Sequence, residues 1–242
     1  MSDATIVAVT GSASGIGQAT AAAYLARGAT VHGLDLAPDQ SHPDPTAPGT
    51  WVPHELDVAD DRAVEAAFAG ILEAEGRIDV LVTSAAVGFL EPFGEMTVES
   101  WDRVFRINVT GTMVCLTSVI PSMIAQGSGS IVVISSIAGR TKSVANGAHY
   151  TVSKYGLIGL TRHVAAELAG TGVRINCVAP GPTNSPILTK NSTEEELAAI
   201  VEKTPLRRIA EPEDVANVVL FAADERARQI HGAVLDVNGG LY

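Results

Sequence analysis

Tyr150 and Lys154, in the stretch YTVSK, stand four residues apart, so on a helix their side chains share a face. A phenol and an ammonium paired this way can move a proton. Free tyrosine titrates near about 10, too high for base work at neutral pH. A neighbouring cation favours the phenolate and lowers that value. Ser136 lies upstream; its hydroxyl can donate to a substrate oxygen and hold it beside Tyr150. Such a set could take the hydroxyl proton of a secondary alcohol while a carrier takes the hydride. Tyr-x-x-x-Lys alone is a short pattern, and by itself it reads as an exposed helix face. Its weight comes from what surrounds it.

A glycine-rich turn, TGSASGIG (Thr10–Gly17), lies near the N-terminus. It follows a short β-branched run and opens an Ala-rich helix, the context that a dinucleotide-binding turn requires. Glycine permits the tight turn and close approach of backbone to phosphate. The helix N-terminus presents unpaired N–H groups and its positive dipole end to a pyrophosphate. Gly11, Ser14, Gly15, Ile16 and Gly17 are the candidate contacts. Without a ligand the same stretch is merely a glycine-rich connector. Asp35 ends the second strand about twenty residues on, where a carboxylate accepts bonds from the adenosine ribose and repels a 2′-phosphate. Gly33, Leu36 and the turn residues Ser12, Ala13 and Ser14 supply no cation to hold that phosphate, so NAD(H) is expected rather than NADP(H). Asp57, in LDV before Val58, is placed to meet the adenine amino group, or else to cap the helix that follows.

The elements that position these residues alternate throughout. Strands are expected at 5–10, 30–36, within 51–58, at 79–85, 130–136 and 173–181, and within AVLDVNGG; helices at 16–28, 60–76, about 97–126, 149–170, 194–203 and 211–224. Pro121 should kink the 97–126 helix or mark its last turn. The proline-rich stretch PDQSHPDPTAPG reads as a surface loop. Strands joined by helices imply parallel crossovers, hence an α/β, doubly wound parallel sheet with helices on both faces. No repeat or linker divides the chain, so residues 1–242 are expected to form one domain.

Charge and composition exclude other classes. The 242 residues carry a formal net charge of −11, leaving no basic surplus for a nucleic-acid backbone. Cys115 and Cys177 sit in apolar runs and read as buried small hydrophobes, with no Cys/His cluster for zinc. The N-terminus lacks a basic leader, and no apolar stretch reads as long enough to span a bilayer; a cytoplasmic location is expected.

Along nearly its whole length the chain resembles the short-chain dehydrogenase/reductase family. The pieces that carry the resemblance are TGSASGIG, Asp35, LDV (56–58), NVTG (108–111), ISS (134–136), YTVSK, APGPT (179–183) and DVNGG. The resemblance implies a Rossmann-type domain, a homotetramer, and Asn108, Ser136, Tyr150 and Lys154 as the catalytic set. It implies that Lys154 also reaches the nicotinamide ribose and that Asn108 holds a helix break and a water linking Lys154 to solvent. It puts Pro180, Gly181 and Thr183 beside the cofactor, with Thr183 near the carboxamide. Where the family usually has Asn-Asn-Ala-Gly, this chain reads TSAA. Thr83, Ser84 and Ala85 keep the backbone contacts there, and Ala86 adds a methyl near the nicotinamide.

Three further expectations concern the substrate side. Residues from Asn184 to about Lys203 should cover the substrate, and Pro182, Pro186, Ile187 and Leu188 make that cover apolar at its start. Arg140 and Lys142 could meet an anionic group, although solvated loop charges is the favoured reading. His149 reads as structural or surface, since it points about 100° away from Tyr150. The function implied is NAD-dependent oxidation of a secondary alcohol or reduction of a ketone. The alternatives are a 3-oxoacyl-thioester reductase, which usually draws on NADPH, and a non-catalytic dinucleotide sensor or scaffold.

Overall fold

The computed structural model describes residues 4–37, 46–143, 145–190 and 192–242. Most of the proline-rich stretch expected as a surface loop lies outside them. Seven strands form one parallel sheet: β1 (Ile6–Thr10), β2 (Thr30–Asp35), β3 (Thr50–Glu55), β4 (Val80–Thr83), β5 (Gly129–Ile134), β6 (Val173–Pro180) and β7 (Val234–Val237), in the order β3-β2-β1-β4-β5-β6-β7. The central strands IVAVT and VLVT are buried along their whole length, as parallel strands covered on both faces must be. β3 is an edge strand and tolerates Pro53 for that reason. Its Trp51 lies across β2, where a Cβ on Gly33 would fall 1.8 Å from the indole; Gly33 makes room for that ring.

Helices α1 (Gly15–Leu25) and α8 (Pro212–Ala223) cover one face, packing Ala21, Leu25, Val215 and Val219 on Val7, Val9 and Val82. The other face carries α2 (Asp61–Glu75), α4 (Thr112–Gln126) and α5 (Ala148–Glu167), which bury Phe68, Leu116, Met123 and Leu157 against Ala8, Leu81 and Ile131. In α2 the apolar positions Val64, Phe68 and Ile71 recur at helical spacing. Asp60 caps its N-terminus by accepting from Ala63 N, and Gly76 ends it at φ +73°. The helix α3 (Val98–Phe105) is joined to α4 by a π-helical turn over Arg106–Gly111.

The helix break that the resemblance places at Asn108 is that π turn, and Pro121 lies inside α4, which continues to Gln126. One expectation needs correction here. The continuous helical stretch Val98–Gln126 is long and apolar enough to cross a membrane by length and composition. Its apolar content serves the core: Val104, Val114, Cys115, Leu116, Val119 and Met123 are buried. Two short helices, α6 (Pro186–Thr189) and α7 (Glu194–Lys203), follow β6.

Candidate active site

The strand order reverses between β1 and β4, and a crevice at the C-terminal ends of the strands is the expected ligand site of such a sheet. A cavity of about 590 Å³ opens there, running from Asp35, Leu36, Asp57 and Val58 past Gly11 and Ser84 to Ser136, Tyr150 and Lys154.

The cofactor end is fixed by backbone packing. Gly11 and Gly15 adopt φ +69° and +53°, values that favour glycine. A Cβ on Gly11 would come within 2.7 Å of Ala85 Cα, and one on Gly17 would lie 2.0 Å from Gly11 O. Ser14 caps α1 with no side-chain bond, so the first N–H groups of that helix have no side-chain cap and are free for an anion. Asp35 Oδ2 accepts from Ala13 N at 3.0 Å, tying the strand-two carboxylate to the turn. Thr10 Oγ1 accepts from Ser84 N and Ala85 N at 3.2 and 3.3 Å, joining the TSAA segment to the turn. This cradle, with no space for a side chain and with free helix N–H groups, fits a dinucleotide. Asp57 is not the helix cap: Asp60 is, and Asp57 Oδ1 accepts instead from Ala59 N at 2.8 Å while its residue lines the cavity.

The other end is built from β5, the turn after it, and α5. Ser136 caps the 3-10 turn Ile137–Gly139, its Oγ accepting from Ala138 N at 3.1 Å, which leaves its own hydrogen free to donate. Tyr150 is buried (8% exposed), and the nearby Ser136 hydroxyl favours its phenolate. Lys154 Nζ lies 5.5 Å from the centroid of the Tyr150 ring and donates to Ile134 O at 2.9 Å. The 3-10 turn sits directly on α5: a Cβ on Gly139 would fall 2.7 Å from Lys154 O. Burial dominates both ionisable groups. It pushes the Tyr150 hydroxyl above its usual value, partly opposed by the Ser136 hydroxyl, and pushes Lys154 down to about 8. In the protein alone burial therefore opposes the lowering that a neighbouring cation gives to a phenol.

Not every predicted site residue reaches the cavity. Gly17 and Thr83 are packed behind it, and Asn108 is fully buried away from its wall. Asn108 Oδ1 accepts from Val87 N at 2.8 Å, and its Nδ2 donates to Val87 O and to Ser153 Oγ at 3.0 and 3.1 Å. It clamps the cavity-lining Val87 segment to α5 from within the π turn. Pro180, Gly181 and Thr183 line the cavity, as do Pro182, Pro186, Ile187 and Leu188. Arg140 and Lys142 separate. Arg140 is held by Asp236 at 2.9 and 3.2 Å and by Val234 O at 3.1 Å, whereas Lys142 is exposed on the cavity wall. His149 is fully buried, so the structural half of its reading holds. Sequence reasoning missed Asn146 and Leu241 on the substrate wall; both come from irregular segments without a periodic signal. Cys115 and Cys177 are buried and free, their thiols pushed up to about 12 and about 11 by burial. Among the described residues no His, Cys, Asp or Glu cluster is arranged to hold a metal.

A family model described as enoyl-(acyl carrier protein) reductase matches residues 11–242. The chain belongs to the short-chain dehydrogenase/reductase family. It is 35% identical over 237 residues to a 3-oxoacyl-[acyl-carrier-protein] reductase of Thermotoga maritima, covering 96% of each chain. To a D-threitol dehydrogenase of Mycolicibacterium smegmatis it is 34% identical over 244 residues, covering 98% of this chain and 93% of the other. The crystal structure of a 3-oxoacyl-[acyl-carrier protein] reductase from Brucella melitensis superposes with a TM-score of 0.91 at 34% identity, covering 98% of this chain and 91% of that one. As a short-chain dehydrogenase/reductase this protein is an oxidoreductase that uses a nicotinamide dinucleotide to exchange a hydride with its substrate.

Proposed function

We propose that this short-chain dehydrogenase/reductase interconverts a secondary alcohol and its ketone with NAD(H), and that Tyr150 is the general acid–base. The observation that carries the reading is one cavity with the Asp35 carboxylate at one end and Ser136, Tyr150 and Lys154 together at the other. The dinucleotide supplies hydride acceptance and donation when bound along Gly11, Ser14, Gly15 and Ile16. Asp35 accepts from the adenosine ribose and excludes a 2′-phosphate; no lysine or arginine lines that end of the cavity among the described residues.

The chain's own residues handle the proton. Ser136 donates to the substrate oxygen and holds it beside the Tyr150 hydroxyl. Tyr150 takes the hydroxyl proton in oxidation and returns it in reduction. Lys154, anchored on Ile134 O, keeps a positive charge beside the phenol so that the phenolate is reached in a site that burial makes unfavourable to it. Asn108 acts through Val87 and Ser153 as a positioning residue. The substrate is uncharged or of mixed polarity, since Ile137, Ile187, Leu188 and Leu241 form much of its wall with Asn146 and Lys142 at intervals.

Residues 1–242 act as one domain and assemble as a homotetramer. Support for assembly comes from apolar side chains left exposed on three helices: Met113 and Ile124 on α4, Val152 and Tyr155 on α5, and Phe221 on α8. A second reading, reduction of a 3-oxoacyl thioester, is favoured by the names of relatives, and Asp35 argues against the NADPH that such a reaction usually draws on. Turnover of a panel of secondary alcohols and 3-oxoacyl thioesters with both cofactors tests the choice. Activity with alcohols and NAD is expected; activity confined to thioesters with NADPH would overturn the reading.

A further inference from the structure

The first turn of α5 carries Tyr150 and Lys154, yet it lacks an ordinary cap. Its N-cap is Gly147, which has no side chain to satisfy the first N–H groups. Tyr150 N is the third of these, the donor that a Ser, Thr or Asp cap normally satisfies. Here it donates to Nδ1 of His149 at 2.7 Å.

His149 is itself held on every side. Its ring is fully buried and packs edge-on against Phe89, with centroids 4.6 Å apart. Its Nε2 lies 3.3 Å from Glu91 Oε2, within ion-pair distance though without the alignment of a full hydrogen bond. The same carboxylate oxygen accepts from Ser100 Oγ at 2.6 Å. A Cβ on Gly147 would fall 3.0 Å from His149 Cε1 and 2.9 Å from Glu91 O, so the residue before α5 must be small. Gly147 N donates to Phe89 O at 2.9 Å, closing the loop onto the helix. That loop also touches the tyrosine: a Cβ on Gly88 would lie 2.8 Å from Tyr150 Cδ2.

We propose that His149, backed by Glu91 and Ser100, is a positioning residue that fixes the Tyr150 backbone and clamps the 88–91 segment over its ring. Nδ1 accepts, so the ring is neutral with its proton on Nε2 facing the carboxylate. Burial pushes His149 below the ordinary histidine value, opposed by Glu91, which agrees with a neutral acceptor. The arrangement replaces a side-chain cap with a ring that also ties down a loop, two constraints on the group whose placement decides proton transfer. The inference rests on Tyr150 as acid–base for its catalytic consequence, while its structural half stands apart from that reading.

The test uses three variants of the full chain, read by hydrogen exchange at the Tyr150 amide and by steady-state kinetics. His149→Asn keeps an oxygen where Nδ1 stands. His149→Gln moves its polar atoms outward, toward Glu91, and loses the acceptor. His149→Phe keeps the ring and loses both. Faster Tyr150 exchange and a kcat lower by roughly tenfold are expected for the Gln and Phe variants, with the cofactor KM within about twofold of the parent, and near-parent values for Asn. Unchanged Tyr150 exchange in the Gln variant, or an Asn variant that loses as much kcat as Gln, would overturn the proposal. The Gln and Asn pair decides the matter even if the Phe variant does not fold. Full activity in Tyr150→Phe would refute the acid–base reading and leave the exchange result standing.

Discussion

The two ends of the cavity are built on different principles. At the cofactor end, Gly11 and Gly17 are required because backbone atoms stand where a Cβ would go. One local turn and one carboxylate at the end of β2 form that end, and Asp35 accepts a bond from the turn at Ala13 N. At the catalytic end, Ser136 comes from the turn after β5 and Tyr150 and Lys154 from α5. Around them stand residues that do not line the cavity: Asn108 bonded to Val87 and Ser153, His149 to the Tyr150 amide, and Gly139 against Lys154 O. A cofactor cradle can be specified by steric exclusion within a short stretch. A proton-transfer site in this fold needs long-range contacts to hold a few side chains in register.

This contrast predicts how each end fails. The largest effect should come from Tyr150→Phe, which keeps shape and removes the hydroxyl. Turnover should fall by roughly a hundredfold or more, with cofactor affinity little changed. Near-normal turnover would remove Tyr150 from the acid–base role. At the cofactor end, Asp35→Ala should reduce the NAD(H) over NADP(H) preference by roughly tenfold or more, because ribose bonds and charge repulsion are lost together. Comparing kcat/KM for both cofactors in parent and variant checks this; an unchanged ratio would contradict the assigned role.

Gly17→Ala probes the steric claim. Its methyl would sit 2.0 Å from Gly11 O, so the turn must shift, at a cost of about 1–3 kcal/mol typical of overpacking. A lower melting temperature and weaker cofactor binding are expected, measured by calorimetry and titration. A variant that binds as well as the parent would show that the turn has slack.

The sequence marks the two ends of the cavity unequally. The turn at Thr10–Gly17, Asp35 and the alternation of strands and helices could be read directly, since local steric needs leave local signatures. The break at Arg106–Gly111 is expected only through the family resemblance at Asn108, because a π turn leaves no single-residue mark of its own as proline does. Asn108 was named, yet its target Val87 and its distance from the cavity wall were beyond a linear reading. Arg140 and Lys142 looked equivalent in sequence; only the approach of β7 brings Asp236 to one of them. The upward push of burial on Tyr150 is not legible in sequence spacing either, since burial is a property of the packed fold.

The smallest expected effect concerns acid stability. Burial lowers the proton affinity of His32, His54 and His149 in the folded chain. A histidine so depressed contributes stability that is fully present above its unfolded value of about 6.5 and is lost as pH falls through the folded value. The melting temperature should therefore be flat from neutral pH down to about 6.5 and decline below it. The decline should be shallower in His149→Asn. An identical decline in that variant would show that His149 does not contribute to it.

In the proposed reaction Tyr150 exchanges the proton and Lys154 tunes it within a site that burial biases toward neutral groups. The most direct test is the pH dependence of kcat/KM in both directions, for the parent and for Lys154→Ala. In the parent, oxidation should rise with pH to a plateau and reduction should be strongest on the acidic side. In the variant, the positive charge that Lys154 carries beside a buried phenol below its own value of about 8 is gone, so the oxidation limb should move to higher pH as rate is lost. An alkaline limb that stays where it was would contradict the claim.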